Sequence, residues 1–92
     1  MKVRLIGLET CKKCQFLKKN YSEQSLDFEY WDANEKELQD TLDLMKIEDV
    51  PVIQIVDDSE NILWSTDPKI YPNGVSVAKI KHQIKKITKK VK

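Results

Sequence analysis

Two cysteines, Cys11 and Cys14, stand close together near the start of the chain, in the stretch ETCKKCQFLKK that runs from Glu9 to Lys19. They are the only cysteines of the protein. A pair at this spacing can cycle between a dithiol and a disulfide, can supply half of a tetrahedral metal site, or can be two buried, inert thiols. Which of these applies depends on the secondary-structure elements that carry the pair.

The pair falls where a predicted strand passes into a predicted helix. Residues 2–8 carry apolar side chains on both faces, which is typical of a strand in the interior of a sheet. A helix is expected to follow from Lys12 to Tyr21, with Thr10 as its N-cap. The cysteines therefore belong to the first turn of this helix.

This location favours redox chemistry. Cys11 would lie beside the unpaired N–H groups of the first helical turn, and Lys12 and Lys13 add positive charge there, partly opposed by Glu9. Such surroundings favour a thiolate over a thiol. Cys14 lies one turn later on roughly the same side and is expected to be more buried. The pattern predicts an attacking Cys11 and a resolving Cys14.

The rest of the chain alternates between strand and helix patterns. The predicted elements are a strand over 26–30, a helix opened by an Asn34–Glu37 capping box with Leu38, Leu42 and Met45 inward, a buried strand over 50–56, a hairpin strand over 62–64 and a C-terminal helix. The order β-α-β-α-β-β-α predicts an α/β fold, a single domain over 1–92 with a four-stranded mixed sheet and helices on both faces.

The C-terminal segment, about residues 75–92, is basic. Its helix has an apolar face made of Val77, Ile80, Ile84, Ile87 and Val91. His82 lies off this face and is expected to be exposed. The lysines of the segment form either a solvated surface or a docking surface for an acidic partner. They are Lys79, Lys81, Lys85, Lys86, Lys89, Lys90 and Lys92.

Composition excludes several classes of protein. The net charge of +1 gives no overall field that would attract nucleic acid, and no apolar run is long enough for a membrane helix. The N-terminus lacks the apolar stretch of a signal peptide. We therefore expect a cytoplasmic monomer, and in that compartment a CxxC pair is more often catalytic or metal-binding than a structural disulfide.

Taken together, the strand, ETCKKC, the helix, DVPVIQIVDD with its hairpin and the terminal helix resemble a glutaredoxin, within the thioredoxin-like superfamily. The resemblance covers roughly residues 2–88. It implies a cis peptide bond between Val50 and Pro51 beside the cysteines, where the backbone of Val50 would pair with a cysteine-bearing substrate. It also implies that Lys12, Lys13 and Ser76 take part in substrate binding.

The sequence also departs from the family pattern. Glutaredoxins open their last helix with two glycines and an acidic residue that hold glutathione, whereas this chain has only Gly74 and, in place of the acid, Ser76. The glutathione clamp is therefore incomplete. Glutathione and a flavin-dependent disulfide reductase are both candidate electron donors.

These observations predict a small thiol–disulfide oxidoreductase that acts on disulfide-bearing proteins and needs no resident cofactor or metal. Two alternatives remain open at this point. One is a metal or iron–sulfur binding module that uses the same sulfurs across a dimer. The other is a non-catalytic interaction protein that docks through its basic C-terminal helix.

Overall fold

A four-stranded mixed sheet forms the centre of the molecule. The computed structural model describes residues 1–90. The strands are β1 (Lys2–Gly7), β2 (Phe28–Asp32), β3 (Val52–Val56) and β4 (Ile62–Ser65), and the helices are α1 (Lys12–Glu23), α2 (Gln39–Leu44) and α3 (Val77–Lys90). The strand order is β2-β1-β3-β4, with β1 and β2 parallel and the other two pairs antiparallel. The predicted order of elements and the mixed sheet are confirmed.

Alternate residues of β1 and β3 face the two sides of the sheet, and the larger core lies under α1 and α3. Its buried members are Val3, Leu5, Leu17, Tyr21, Ile53, Ile55, Val75, Val77 and Ile80. The Tyr21 hydroxyl donates a 2.6 Å hydrogen bond to the carbonyl of Val75, which ties α1 to the segment before α3. Ile84 and Ile87 pack against the same core, as the periodicity predicted, while Val91 lies outside the described residues.

The opposite side of the sheet has a smaller apolar core, made of Ile6, Leu42 and Val52. Arg4 also points into this side from the middle of β1, with a side chain that is 1% exposed. The Arg4 guanidinium lies 3.7 Å from the centre of the Trp31 ring. The predicted apolar side chains on both faces of β1 are confirmed by Val3 and Leu5 on one side and Ile6 on the other, whereas the buried Arg4 was not predicted.

The buried charge of Arg4 is matched by polar partners from three other segments. Its Nε donates to Glu29 at 2.7 Å, its Nη1 donates to Gln54 at 3.2 Å, and its Nη2 donates to Glu60. Glu29 belongs to β2, Gln54 to β3, and Glu60 to the turn after β3. A single arginine thus links three strands and the hairpin, which satisfies a charge that would otherwise be very unfavourable in the interior.

The second helical segment differs from its prediction. Asn34 and Glu37 form no capping box; the N–H of Asn34 instead donates to the side chain of Asp32 at 2.9 Å. A 3₁₀ turn over Lys36–Leu38 precedes α2, and no side chain caps either element. Of the three side chains predicted to face inward, Leu42 is buried, whereas Leu38 and Met45 are half-buried.

Two helices end at residues with positive φ. Ser25, at φ 56°, follows α1, and Lys46, at φ 58°, follows α2. The next N–H in each case reaches back to the helix: Leu26 donates to Tyr21 at 2.9 Å and Ile47 donates to Leu42 at 3.0 Å. Helix α1 therefore runs past its predicted end at Tyr21, and β2 begins later than the predicted residue 26.

Replacing Arg4 with alanine tests whether this buried arginine holds the second face together. We expect Arg4→Ala to lower the free energy of unfolding by about 3 kcal/mol, because it removes the charge that the buried Gln54 amide and the Glu29 carboxylate are arranged around. Urea unfolding followed by circular dichroism measures the change. Lys2→Ala, on the same strand and also paired with Glu60, is the control and should leave the midpoint unchanged. Equal midpoints for the two variants would contradict this account.

Candidate functional site

Cys11 forms the N-cap of helix α1. Its backbone is extended, with φ −89° and ψ 110°, and its Sγ accepts a hydrogen bond from the N–H of Cys14 at 3.3 Å. Its own N–H donates to the carbonyl of Leu8 at 3.1 Å. Thr10 was predicted to cap this helix, and that prediction is wrong by one residue. The capping atom is therefore the half-exposed sulfur of Cys11.

Cys14 is fully buried beneath Cys11, with 0% of its side chain exposed. Desolvation is the main cause that raises the pKa of Cys14 to about 12, and a side-chain hydrogen bond with Cys11 adds to the rise. At neutral pH Cys14 is therefore a neutral thiol. Both cysteines are free thiols in this structure. The helix thus presents one accessible sulfur at its N-terminus and one protected sulfur a turn below.

Gly7, the last residue of β1, allows this arrangement. A Cβ added to Gly7 would lie 2.7 Å from the Cβ of Cys14 and 3.0 Å from its Sγ. Any side chain here would push α1 away from the sheet. The same point is 3.3 Å from the hydroxyl oxygen of Tyr30, so residues from β1, α1 and β2 meet around the buried sulfur. Sequence analysis missed Gly7, although a glycine at the end of a buried strand is a signal of close approach.

Gln15 connects the site to β2 and was also missed. Its amide Nε2 donates to the carbonyl of Leu8 at 3.1 Å and to the hydroxyl of Tyr30 at 3.4 Å. It therefore joins the loop before the cysteines to the second strand. No sequence pattern could indicate this contact, because Tyr30 belongs to a different strand.

The Val50–Pro51 peptide bond is cis, as the resemblance implies. Pro51 is buried, and Val50 is half-buried against the smaller core. Val50 and Leu8, which precedes the cysteines, line one groove of about 340 Å³, whose rim carries Asp43, Glu48 and Asp49. Val50 makes no backbone hydrogen bond with any other residue of the described chain.

Lys12 and Lys13, which follow Cys11 in the chain, line a second hollow of about 410 Å³. Phe16 and Asn73 complete it, and the Phe16 ring is 67% exposed. Ser76 does not line this hollow. Its hydroxyl instead accepts a 3.2 Å hydrogen bond from the N–H of Lys79 at the start of α3. The structure thus brings Lys12 and Lys13 together beside Cys11 and gives Ser76 a role in its own helix.

Residues 1–90 contain no preformed metal centre. Among these residues, no group of three or more histidine, cysteine, aspartate or glutamate side chains is placed to hold an ion. His82 is exposed, as predicted. None of the helices within residues 1–90 is long and apolar enough to cross a membrane.

Comparison of the whole fold with solved structures finds thioredoxin 1 from the thermophilic eubacterium Thermosipho africanus TCF52B, with a TM-score of 0.65 and 16% sequence identity. The match covers 97% of this chain and 96% of that chain. No family model matches the chain, and no curated protein matches it by sequence. At this identity the likeness establishes the fold: the protein has an α/β thioredoxin-like fold, with a CxxC pair at the N-terminus of its first helix.

Gly7→Ala tests the close approach on which the cysteine geometry depends. We expect it to lower the free energy of unfolding by about 2 kcal/mol, because the added methyl overlaps Cys14 and the helix must move. Urea unfolding measures this effect, with the exposed Thr10→Ala as the control. A Gly7→Ala protein as stable as the control would show that β1 and α1 can accommodate a methyl group at Gly7, which would contradict the close approach.

Proposed function

We propose that the protein is a small thiol–disulfide oxidoreductase of the glutaredoxin type that reduces disulfides in proteins through Cys11 and Cys14. The observation that carries the proposal is the hydrogen bond from the N–H of the buried Cys14 to the sulfur of the accessible Cys11. It holds the accessible sulfur of Cys11 against the backbone of the residue that carries the second, buried sulfur.

In the first step, the Cys11 thiolate attacks one sulfur of a substrate disulfide. The new bond joins Cys11 to that sulfur, the substrate's S–S bond breaks, and the other substrate sulfur leaves as a thiolate that takes a proton from solvent. The N–H of Cys14 and the positive end of α1 stabilise the attacking anion. Lys12 and Lys13, exposed on the same turn, add to this field.

In the second step, Cys14 loses its proton and attacks the sulfur of Cys11. The mixed disulfide breaks, the substrate leaves as a thiolate and is protonated, and Cys11 and Cys14 are left joined as a disulfide. Two electrons have then passed to the substrate. Because desolvation raises the pKa of Cys14, its thiolate is scarce at neutral pH, and we expect the second step to be the slower one.

The groove at Val50 and the hollow at Lys12 and Lys13 suggest how a substrate docks. An extended segment would pair with the free backbone groups of Val50 and lie against Pro51, like an added strand. Lys12 and Lys13 would contact its acidic groups, and the exposed Phe16 ring would contact its apolar side chains. These features support a protein substrate, which offers more surface than a small thiol does.

The electron donor that returns the disulfide to a dithiol is proposed to be either glutathione or a flavin-dependent disulfide reductase in the cytosol. Two features support an incomplete glutathione clamp. Gly74, at φ 76°, is packed so closely against Leu17 that an added Cβ would overlap a Leu17 methyl group. The Ser76 hydroxyl is engaged in capping α3. Both residues therefore serve the packing of α3 first.

Serine variants of the two cysteines test the assigned roles. We expect Cys11→Ser to abolish reduction of a peptide disulfide, and Cys14→Ser to stop after the first step with substrate bound to Cys11. Intact mass spectrometry of each protein after incubation with the peptide measures this: an adduct on Cys14→Ser and none on Cys11→Ser. Similar, mild losses of activity in both variants would overturn the assignment.

A further inference from the structure

The hydroxyl group of Tyr30 lies near the buried sulfur of Cys14. It has no role in the two steps described above. Tyr30 lies in β2, opposite Leu5 of β1, and its ring packs against the larger core. The Lys18 ammonium lies 4.4 Å from the centre of the ring on the solvent side. The hydroxyl oxygen of Tyr30 lies 3.3 Å from the position that a Cβ on Gly7 would occupy, and the Cys14 sulfur lies 3.0 Å from the same position. The two atoms therefore lie near the same side of Gly7.

The hydrogen bonds of Tyr30 leave its proton available. A tyrosine hydroxyl has one proton to donate and can also accept. Gln15 donates its amide N–H to the Tyr30 oxygen at 3.4 Å, while the same Nε2 is held by the carbonyl of Leu8. Because Tyr30 is the acceptor in this contact, the contact does not use its own proton.

The resolving step has a need that this hydroxyl can meet. The thiolate of Cys14 must form in a desolvated position, and burial is the main cause that raises the pKa of Cys14 to about 12. Burial also raises the pKa of Tyr30, with Glu9, Asp32 and Cys14 adding to the shift. The phenol therefore stays protonated at neutral pH, so it can donate a hydrogen bond but cannot act as the base.

We propose that the Tyr30 hydroxyl donates a hydrogen bond to the sulfur of Cys14 as the thiolate forms, and so accelerates the resolving step. This proposal rests on the proposed function, since it concerns the second half of the same reaction. The proton of Cys14 goes to solvent and finally to the departing substrate thiolate. Tyr30 keeps its own proton, and the Cys11–Cys14 bond forms as the bond between Cys11 and the substrate breaks.

The reaction of the reduced protein with one equivalent of 5,5′-dithiobis(2-nitrobenzoate) at pH 7 separates the two steps. The first thionitrobenzoate anion is released when Cys11 attacks, at a rate proportional to the reagent concentration. The second is released when Cys14 displaces the aromatic thiol from Cys11, at a rate independent of that concentration. Intact mass identifies the product as the internal disulfide. Stopped-flow absorbance thus measures the proposed effect on the second phase alone.

Three proteins are compared with the unaltered chain. Tyr30→Phe removes the hydroxyl and keeps the ring, and we expect its second phase to be about tenfold slower, as loss of a hydrogen bond to a charged group predicts, with the first phase unchanged. In the second protein, 3-fluorotyrosine at position 30 has a more acidic phenol, which donates more strongly, and its second phase should be faster than that of the unaltered chain. Tyr71→Phe, in the loop before α3, is the matched control and should leave both phases unchanged.

Several results would overturn the proposal. A second phase of Tyr30→Phe within twofold of the unaltered chain would show that the hydroxyl does not act on Cys14. Equal slowing of both phases, or a fluorotyrosine protein that behaves like the unaltered chain, would show that Tyr30 only packs the site. If the unaltered chain itself shows no second phase, the proposed function fails, and the role of Tyr30 fails with it.

Discussion

The site depends on how closely helix α1 approaches the end of strand β1. A Cβ on Gly7 would lie 2.7 Å from the Cβ of Cys14, so only glycine lets the helix begin where it does. That contact buries Cys14, places Cys11 at the helix N-terminus, and brings the Tyr30 hydroxyl near the same side of Gly7. The chemistry assigned to two cysteines is therefore built by residues of three different elements.

The two sides of the sheet are stabilised in different ways. The side that carries the cysteines packs α1 and α3 over a continuous apolar core. The other side has only the short α2 to cover it, and its remaining area is held by the buried Arg4 with carboxylates and an amide from neighbouring segments. A charge satisfied in this way holds the strands in one register and places the cysteines on a sheet that cannot slip.

Much of the fold could be predicted from the sequence, because hydrophobic periodicity reports directly which side chains a strand or helix buries. The order of elements along the chain and the apolar face of α3 are of this kind. The predicted capping box at Asn34 does not form, because the Asn34 N–H donates to the side chain of Asp32 instead. Arg4 and Tyr30 could not be predicted, since their partners lie on other strands and are distant in sequence. Gly7 was missed, although a glycine at the end of a buried strand signals a close approach. The positions of Cys11 and Cys14 at the start of α1 could be predicted, because a strand pattern passes into a helix pattern there.

A redox titration of the purified protein in glutathione buffers of defined ratio, read by intact mass, tests the central claim most directly. The account predicts a reversible loss of two hydrogens as Cys11 and Cys14 join, at a potential between about −180 and −270 mV, the range of known thiol exchangers. It predicts the same mass change in Tyr30→Phe, because a kinetic aid does not alter which product forms. Thiols that stay unreactive until the protein unfolds would contradict the account and leave the pair a structural feature of the β1–α1 junction.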